Sequence, residues 1–166
     1  MAAVTTLPAA FTVGQILTST EMNNLRGAFR VLQVVEGTTT TEVINSTSTP
    51  ADTGLTATIT PGFTSSKILV FVNHPGCFKQ TGNVGTAIQI QLLRGATKIC
   101  DVAEYLGYQN ASTAIGLGVS TSILDSPATT SATTYKTQFN NLANAASVYV
   151  NHDSVRSSII LMEVSA

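Results

Sequence analysis

From Val31 onward the apolar positions recur with a period of two. Leu55, Ala57 and Ile59 alternate with Thr56, Thr58 and Thr60, which predicts a half-buried strand with a hydroxylated outer face. Ile88, Ile90 and Leu92 alternate with Gln89 and Gln91 in the same way. Arg94-Gly95-Ala96-Thr97 then reads as a tight turn into a strand over Lys98–Val102. Further strands are expected over Val31–Glu36, Ala114–Leu124, Thr134–Phe139, Ser147–Val150 and Ser157–Val164. Turn residues punctuate them at Pro50, Pro61-Gly62, Pro75-Gly76, Gly82–Gly85, Gly107, Ser126-Pro127, Asn140-Asn141 and Asn151–Asp153. About eight or nine short strands so spaced predict an all-β sandwich or barrel. No repeat of fixed period points to a solenoid or propeller.

Two runs break the alternation. Lys67–Asn73 is apolar on both faces, and so is the C-terminal Ile159-Ile160-Leu161-Met162. Both need cover on two sides. The first 30 residues differ from the rest. Residues 1–17 have no period and carry Phe11, Val13, Ile16 and Leu17 between Pro8 and Gly14. Thr18-Ser19-Thr20-Glu21 then matches a capping box, and Met22, Leu25 and Phe29 fall on one face of the helix it would start. Gly27 weakens that helix by about 1 kcal/mol relative to Ala, so packing must stabilise it. The expected organisation is an N-terminal arm with one short helix over 1–30 and a β-sandwich over 31–166.

Composition narrows the function. The chain has 166 residues, a net charge of -1 and only 10% charged residues, where an ordinary soluble domain has about 25%. Thr and Ser take the place of the missing charge. Eight Lys and Arg in all make no basic footprint for nucleic acid. The longest apolar runs are strand-sized, well short of the roughly 18 residues of a membrane-spanning helix. The N-terminus lacks the basic and apolar regions of a signal peptide. Cys77 and Cys100 form no disulfide framework and suit synthesis in a reducing compartment.

No catalytic constellation emerges. Gly118-Val119-Ser120-Thr121-Ser122 lacks the closing glycine of a nucleophile elbow and sits inside a strand. His74 and Cys77, with Cys100, offer too few ligands for a zinc site, and buried free thiols are the plainer reading. His152-Asp153 falls in a solvated turn. Asp101 and Glu104 are the close carboxylate pair, without the sugar platforms a glycosidase uses; Tyr105 and Tyr108, with Gln109 and Asn110, could contact a glycan. No cofactor is expected.

A sheet protein that avoids Lys and Glu lacks the usual guard against association. A second subunit covering the two-sided strands is the favoured reading; the helix over 18–30, or a loop, covering them within one monomer is the alternative. Asp125-Ser126-Pro127-Ala128-Thr129-Thr130-Ser131-Ala132-Thr133-Thr134-Tyr135, with Thr137-Gln138-Phe139, Val148-Tyr149-Val150-Asn151 and Ser157–Val164, resembles the C-terminal β-domain of tailed-phage virion proteins. Pro61–Val70 matches the same pattern, and Phe11–Asn23 looks like a segment that recurs at the start of phage structural proteins. The resemblance implies a jelly-roll-like sandwich, a homotrimer, and a place on the virion surface after synthesis in the host bacterial cytoplasm. With no length for a fibre shaft, it implies a capsid decoration (cement) protein. Its arm, through Phe11, Val13, Ile16 and Leu17, would lie on the major capsid protein, with Met22, Leu25 and Phe29 packing near the trimer axis or beneath the sandwich. The alternative is a tail- or head-fibre module that binds a host glycan through Tyr105, Tyr108, Gln109 and Asn110.

Overall fold

The strand with the cleanest alternation shows how the chain divides its two environments. In β3 (Ala51–Ile59), Thr53, Leu55, Ala57 and Ile59 are buried while Asp52, Gly54, Thr56 and Thr58 face water. The computed structural model describes residues 31–82, 84–142 and 146–165, together with Gly14, Ile16, Thr18 and Ser19. The expected helix face, Met22, Leu25 and Phe29, lies outside the described residues, as do Phe11, Val13 and Leu17 of the arm. Ile16 is described and is exposed.

Two antiparallel sheets make the domain. In the first, β1 (Val31–Thr39) and β2 (Val43–Asn45) form one edge row. They pair with β10 (Ser157–Val164) and β9 (Val148–Val150) respectively. β4 (Lys67–Lys79) follows, flanked by β10 and β9 on one side and by β7 (Ile115–Asp125) on the other. The second sheet runs β3, β8 (Thr133–Asn141), β5 (Ile88–Arg94) and β6 (Thr97–Leu106). With β1/β2 and β9/β10 each counted as one row, the rows numbered along the chain read 1-8-3-6 in one sheet and 2-7-4-5 in the other. That is the connectivity of a jelly roll. The fold is therefore the expected all-β, jelly-roll antiparallel sandwich.

Ile68, Val70, Val72, Ile159 and Leu161 project from the first sheet against Leu55, Ile59, Ile90, Leu92, Tyr135 and Phe139 of the second. Gly37 of β1 backs onto β3 of the other sheet, and a Cβ there would lie 1.9 Å from the Thr56 carbonyl oxygen. Only glycine permits that approach. Arg94 donates from the second sheet to both Asp125 carboxylate oxygens, at 3.0 and 2.7 Å, and the Tyr135 hydroxyl donates to the same carboxylate at 2.6 Å. This cluster fastens β7 to the opposite sheet.

Three elements differ from the sequence reading. Asn140-Asn141, expected as a turn, is the end of β8 and pairs with Gln89 and Ile88 of β5. Pro75-Gly76 and β2 are the other two. Pro75-Gly76 does not end a strand, because β4 continues through it by a bulge between His74 and Cys77. Pro75 has no ladder partner at the bulge, so its missing N–H costs no ladder hydrogen bond. β2 was not expected, being only three residues long.

Candidate functional site

The register of the first sheet assembles its outer face. Residues that alternate with the core positions meet across all four rows. Val34, Met162, Leu69 and Leu124 line up as one continuous apolar row. The next row is Glu36, Ile160, Phe71 and Ser122, and the one after it Thr38, Ser158, Asn73 and Ser120. Val34 is 57% exposed, Leu124 60% and Phe71 38%. Leu69, Ile160 and Met162 are half-buried by their neighbours in the face. These six side chains leave on the order of 400 Å² of apolar surface against water, a patch size that marks interaction sites.

The border of this patch is polar. Glu36 pairs with Arg156 at 2.7 Å on one side, and Lys67 donates to Ser126 at 2.7 Å on the other. Beyond the apolar rows, Asn73, Ser120, Ser122 and Ser158 join Phe71 and Ile160 around a shallow groove of about 380 Å³. An apolar centre inside a polar border is the composition of a protein–protein interface.

The outer face of the second sheet is the opposite in character. Asp52, Gln138, Gln91 and Asp101 form a row across its four strands. Gln138 donates to Asp52 at 2.8 Å and Gln89 to Asp101 at 3.0 Å. Lys136 and Lys98 neutralise the two carboxylates at 2.8 and 2.7 Å. Hydrogen bonds from Lys136 first, and then Gln138, hold the Asp52 carboxyl below its ordinary range. Thr56, Thr58 and Thr134 complete a surface that water solvates well. Two ion pairs and a row of glutamines and threonines lie here, so this outer face is wettable where the centre of the other is apolar.

The sequence-predicted residues fall as follows. Tyr105 and Tyr108 come together at the end of β6, with ring centroids 6.1 Å apart and planes nearly perpendicular; each is 59% exposed. Tyr105 has φ 58, a left-handed conformation that a bulky residue adopts at a cost. Gln109 lies half-buried beside them, its carbonyl accepting from the Gly85 amide at 3.3 Å, and Asn110 is exposed. Asp101 is committed to Lys98 and Gln89, whereas Glu104 is exposed.

His74 is fully buried between the sheets. Its Nδ1 meets Ser157 Oγ at 2.9 Å and its Nε2 meets Thr137 Oγ1 at 3.0 Å. Ser157 donates its one proton to Asn151 Oδ1, so it accepts from His74, and the imidazole carries its proton on Nδ1. Thr137 then donates to Nε2, and Thr53 supports Thr137 from β3 at 2.6 Å. Both ring nitrogens are thus occupied within the core. Burial lowers the His74 pKa to about 4. Cys77 donates to the His74 carbonyl, and burial pushes its thiol up to about 12. Cys100 is a free thiol on the other sheet. Among the described residues no three His, Cys, Asp or Glu gather as a metal-binding group.

Sequence reading missed Glu163. It is buried at the end of β10, where its carboxylate accepts from the Gly62 amide at 2.7 Å and from Gln33 at 2.6 Å. Burial alone raises its pKa, but the hydrogen bonds from Gln33 and from the Gly62 and Phe63 amides outweigh that and hold it low. No pattern in the sequence signals such a partner set. His152 was placed correctly in a turn, but its stacking on Phe78, at 4.3 Å between centroids, was not foreseen. The chain matches no protein-family model and no curated protein with which it was compared.

Proposed function

We propose that this chain is a self-associating structural module of a phage virion, a capsid decoration (cement) protein that binds the major capsid protein as a homotrimer and stabilises the head. One observation carries the reading. A sandwich with 10% charged residues leaves one outer face apolar across four strands while the other outer face holds paired charges and hydroxyls. A monomer gains nothing from that asymmetry, whereas a subunit covered on one side gains the transfer of the apolar patch out of water. Jelly rolls recur in viral capsid and lectin domains, which agrees with the reading without deciding it. The mechanism is mechanical: a bridge between capsomers adds interface that internal pressure must break. No catalytic step, cofactor, nucleic acid or membrane insertion belongs to it.

The arm residues Phe11, Val13, Ile16 and Leu17 are assigned to the capsid, and the 89% exposure of Ile16 suits a residue awaiting a partner. Removing residues 1–17 should leave a soluble oligomer that no longer binds purified capsids. Retained capsid binding would sink the arm assignment.

The Tyr105–Tyr108 pair favours a second reading, a host-glycan adhesin of a tail or head fibre. Its backbone strain and exposed rings are what a sugar platform would need. In that case the purified protein competes with phage for host cells, and Tyr108→Ala abolishes the competition. Absence of competition by the unaltered protein would dismiss it.

A further inference from the structure

We infer that the bulge in β4 builds a binding groove for a neutral saccharide, which it holds through two adjacent hydroxyls. This groove does not depend on self-association. It lies at Gly116, at the opposite end of β7 from Leu124, about 27 Å away at 3.4 Å per residue. A partner seated on the apolar rows leaves this end of the face open.

Register creates the depression. β4 pairs with β7 as far as His74 and Val119 and resumes at Cys77 and Leu117, so Pro75, Gly76 and Gly118 have no partner across the ladder. The groove there measures about 400 Å³, within the range of small-molecule sites. Its glycines differ in what requires them. A Cβ at Gly76 would meet the Val155 Cβ at 2.7 Å, and one at Gly118 would meet the Pro75 Cα at 3.2 Å, so close packing accounts for both. Gly116 has no such reason. A Cβ there meets nothing within 4 Å, and its φ is not left-handed. Glycine inside a strand costs about 0.5–1 kcal/mol relative to alanine, and it often marks a place where a ligand comes close to the backbone. At position 116 it keeps the floor of the groove open.

The wall of the groove, His152 and Asp153, supplies the chemistry. His152 stacks on Phe78, and its Nδ1–H donates to the Glu42 carboxylate at 2.7 Å. The same Glu42 oxygen accepts from the Asp153 amide at 3.4 Å. Glu42 thus fixes the ring and the backbone beside it together. In the neutral ring Nε2 is left as an acceptor. It stands 3.9 Å from the Asp153 carboxylate, too far for a hydrogen bond between them. The wall therefore presents two acceptors side by side. Hydroxyls on adjacent carbons of a sugar match them, one donating to Nε2 and the other to Asp153. An anionic ligand does not, because Asp153 and Glu42 repel it.

Backbone amide shifts of the full chain at about pH 8, where an ordinary histidine is neutral, test this by titration with glucose, galactose and mannose. With at least one of them, saturable shifts are expected at Gly76, Gly116 and Asp153, with a Kd on the order of 1 mM. The uronic acid of the same sugar should bind at least about tenfold more weakly. No saturable shift at these amides with any of the three sugars, up to about 50 mM, overturns the inference. So do shifts confined to Tyr105–Asn110, which would give the sugar to the tyrosine pair, and so does equal affinity for the uronic acid. Two variants check the residues. Gly116→Val fills the open floor without a clash, so urea unfolding should show a domain at least as stable while the sugar shifts vanish. Asp153→Asn keeps a residue that tolerates the left-handed φ of 55 and should raise the Kd about tenfold. Unchanged affinity in either variant also refutes the site.

Discussion

His74 ties the stability of the sandwich to pH. Its imidazole has no exposure to solvent and bonds Ser157 on one side and Thr137 on the other, and burial without a carboxylate partner disfavours the charged ring. The unfolded chain takes up a proton near pH 6.5, whereas the folded one refuses it until about 4. Between those values the unfolded state binds more protons, so stability falls as the pH falls. The interval, at about 1.4 kcal/mol per pH unit, amounts to a loss of about 3 kcal/mol. That is a large part of the roughly 5–15 kcal/mol that holds a domain folded. Urea unfolding at fixed protein concentration, stepped from pH 7 to pH 4, should show the decline, and His74→Gln should flatten it. Glu163 and Asp52 act with the same sign in a lower window. Their folded pKa values lie below the ordinary 4.5 and 3.8, so the stability they contribute is present above those values and lost beneath them. A His74 imidazole that titrates near 6.5 by NMR in the folded protein, or an equal decline in the Gln variant, would refute the reasoning.

Other substitutions probe the frame. Gly37→Ala forces a Cβ onto the Thr56 carbonyl, and should cost about 3 kcal/mol through displacement of one sheet from the other; a change below about 1 kcal/mol in denaturant unfolding would mean the sheets are not that close. Tyr135→Phe removes the hydroxyl that donates to Asp125 and should cost about 1.5–3 kcal/mol, as for a hydrogen bond to a charged group; a neutral effect would show that Arg94 alone holds the carboxylate. Lys79 is fully buried and its Nζ has no hydrogen-bond partner among the described residues. Lys79→Met should therefore stabilise the domain by about 1–4 kcal/mol, and a loss of stability would reveal a partner for Nζ.

Much of the architecture was legible along the chain because half-buried strands write their burial as alternation. The threonines of β3 and the glutamines of β5 mark the wettable outer face directly. Ser157–Val164 was bounded correctly for the same reason. What alternation cannot express was lost. A bulge shifts the period by one residue, so Pro75-Gly76 read as a turn although β4 runs through it. The two-sided runs at Lys67–Asn73 and Ile159–Met162 announced that a second face needed cover. Val34 and Leu124, which extend that face to both edges, each sit beside a single apolar neighbour, Val35 and Ile123, and became part of the face only through register. The polar core was the least legible. Thr53, His74, Thr137 and the Asn151–Ser157 pair come from four separate stretches of the chain, and each alone resembles an ordinary surface residue; the jelly-roll connectivity brings them together. The Tyr105–Tyr108 pair was visible as neighbours, but its left-handed backbone was not.

The claim that the apolar outer face belongs to another copy is tested most directly by mass in solution. Light scattering of the full chain at micromolar concentration should give three times the 17.3 kDa chain mass. Leu124→Asp, at the centre of the claim, should return it to a single chain, while Thr58→Asp on the wettable face leaves the oligomer unchanged. An unaltered protein that scatters as one 17.3 kDa chain would contradict the account.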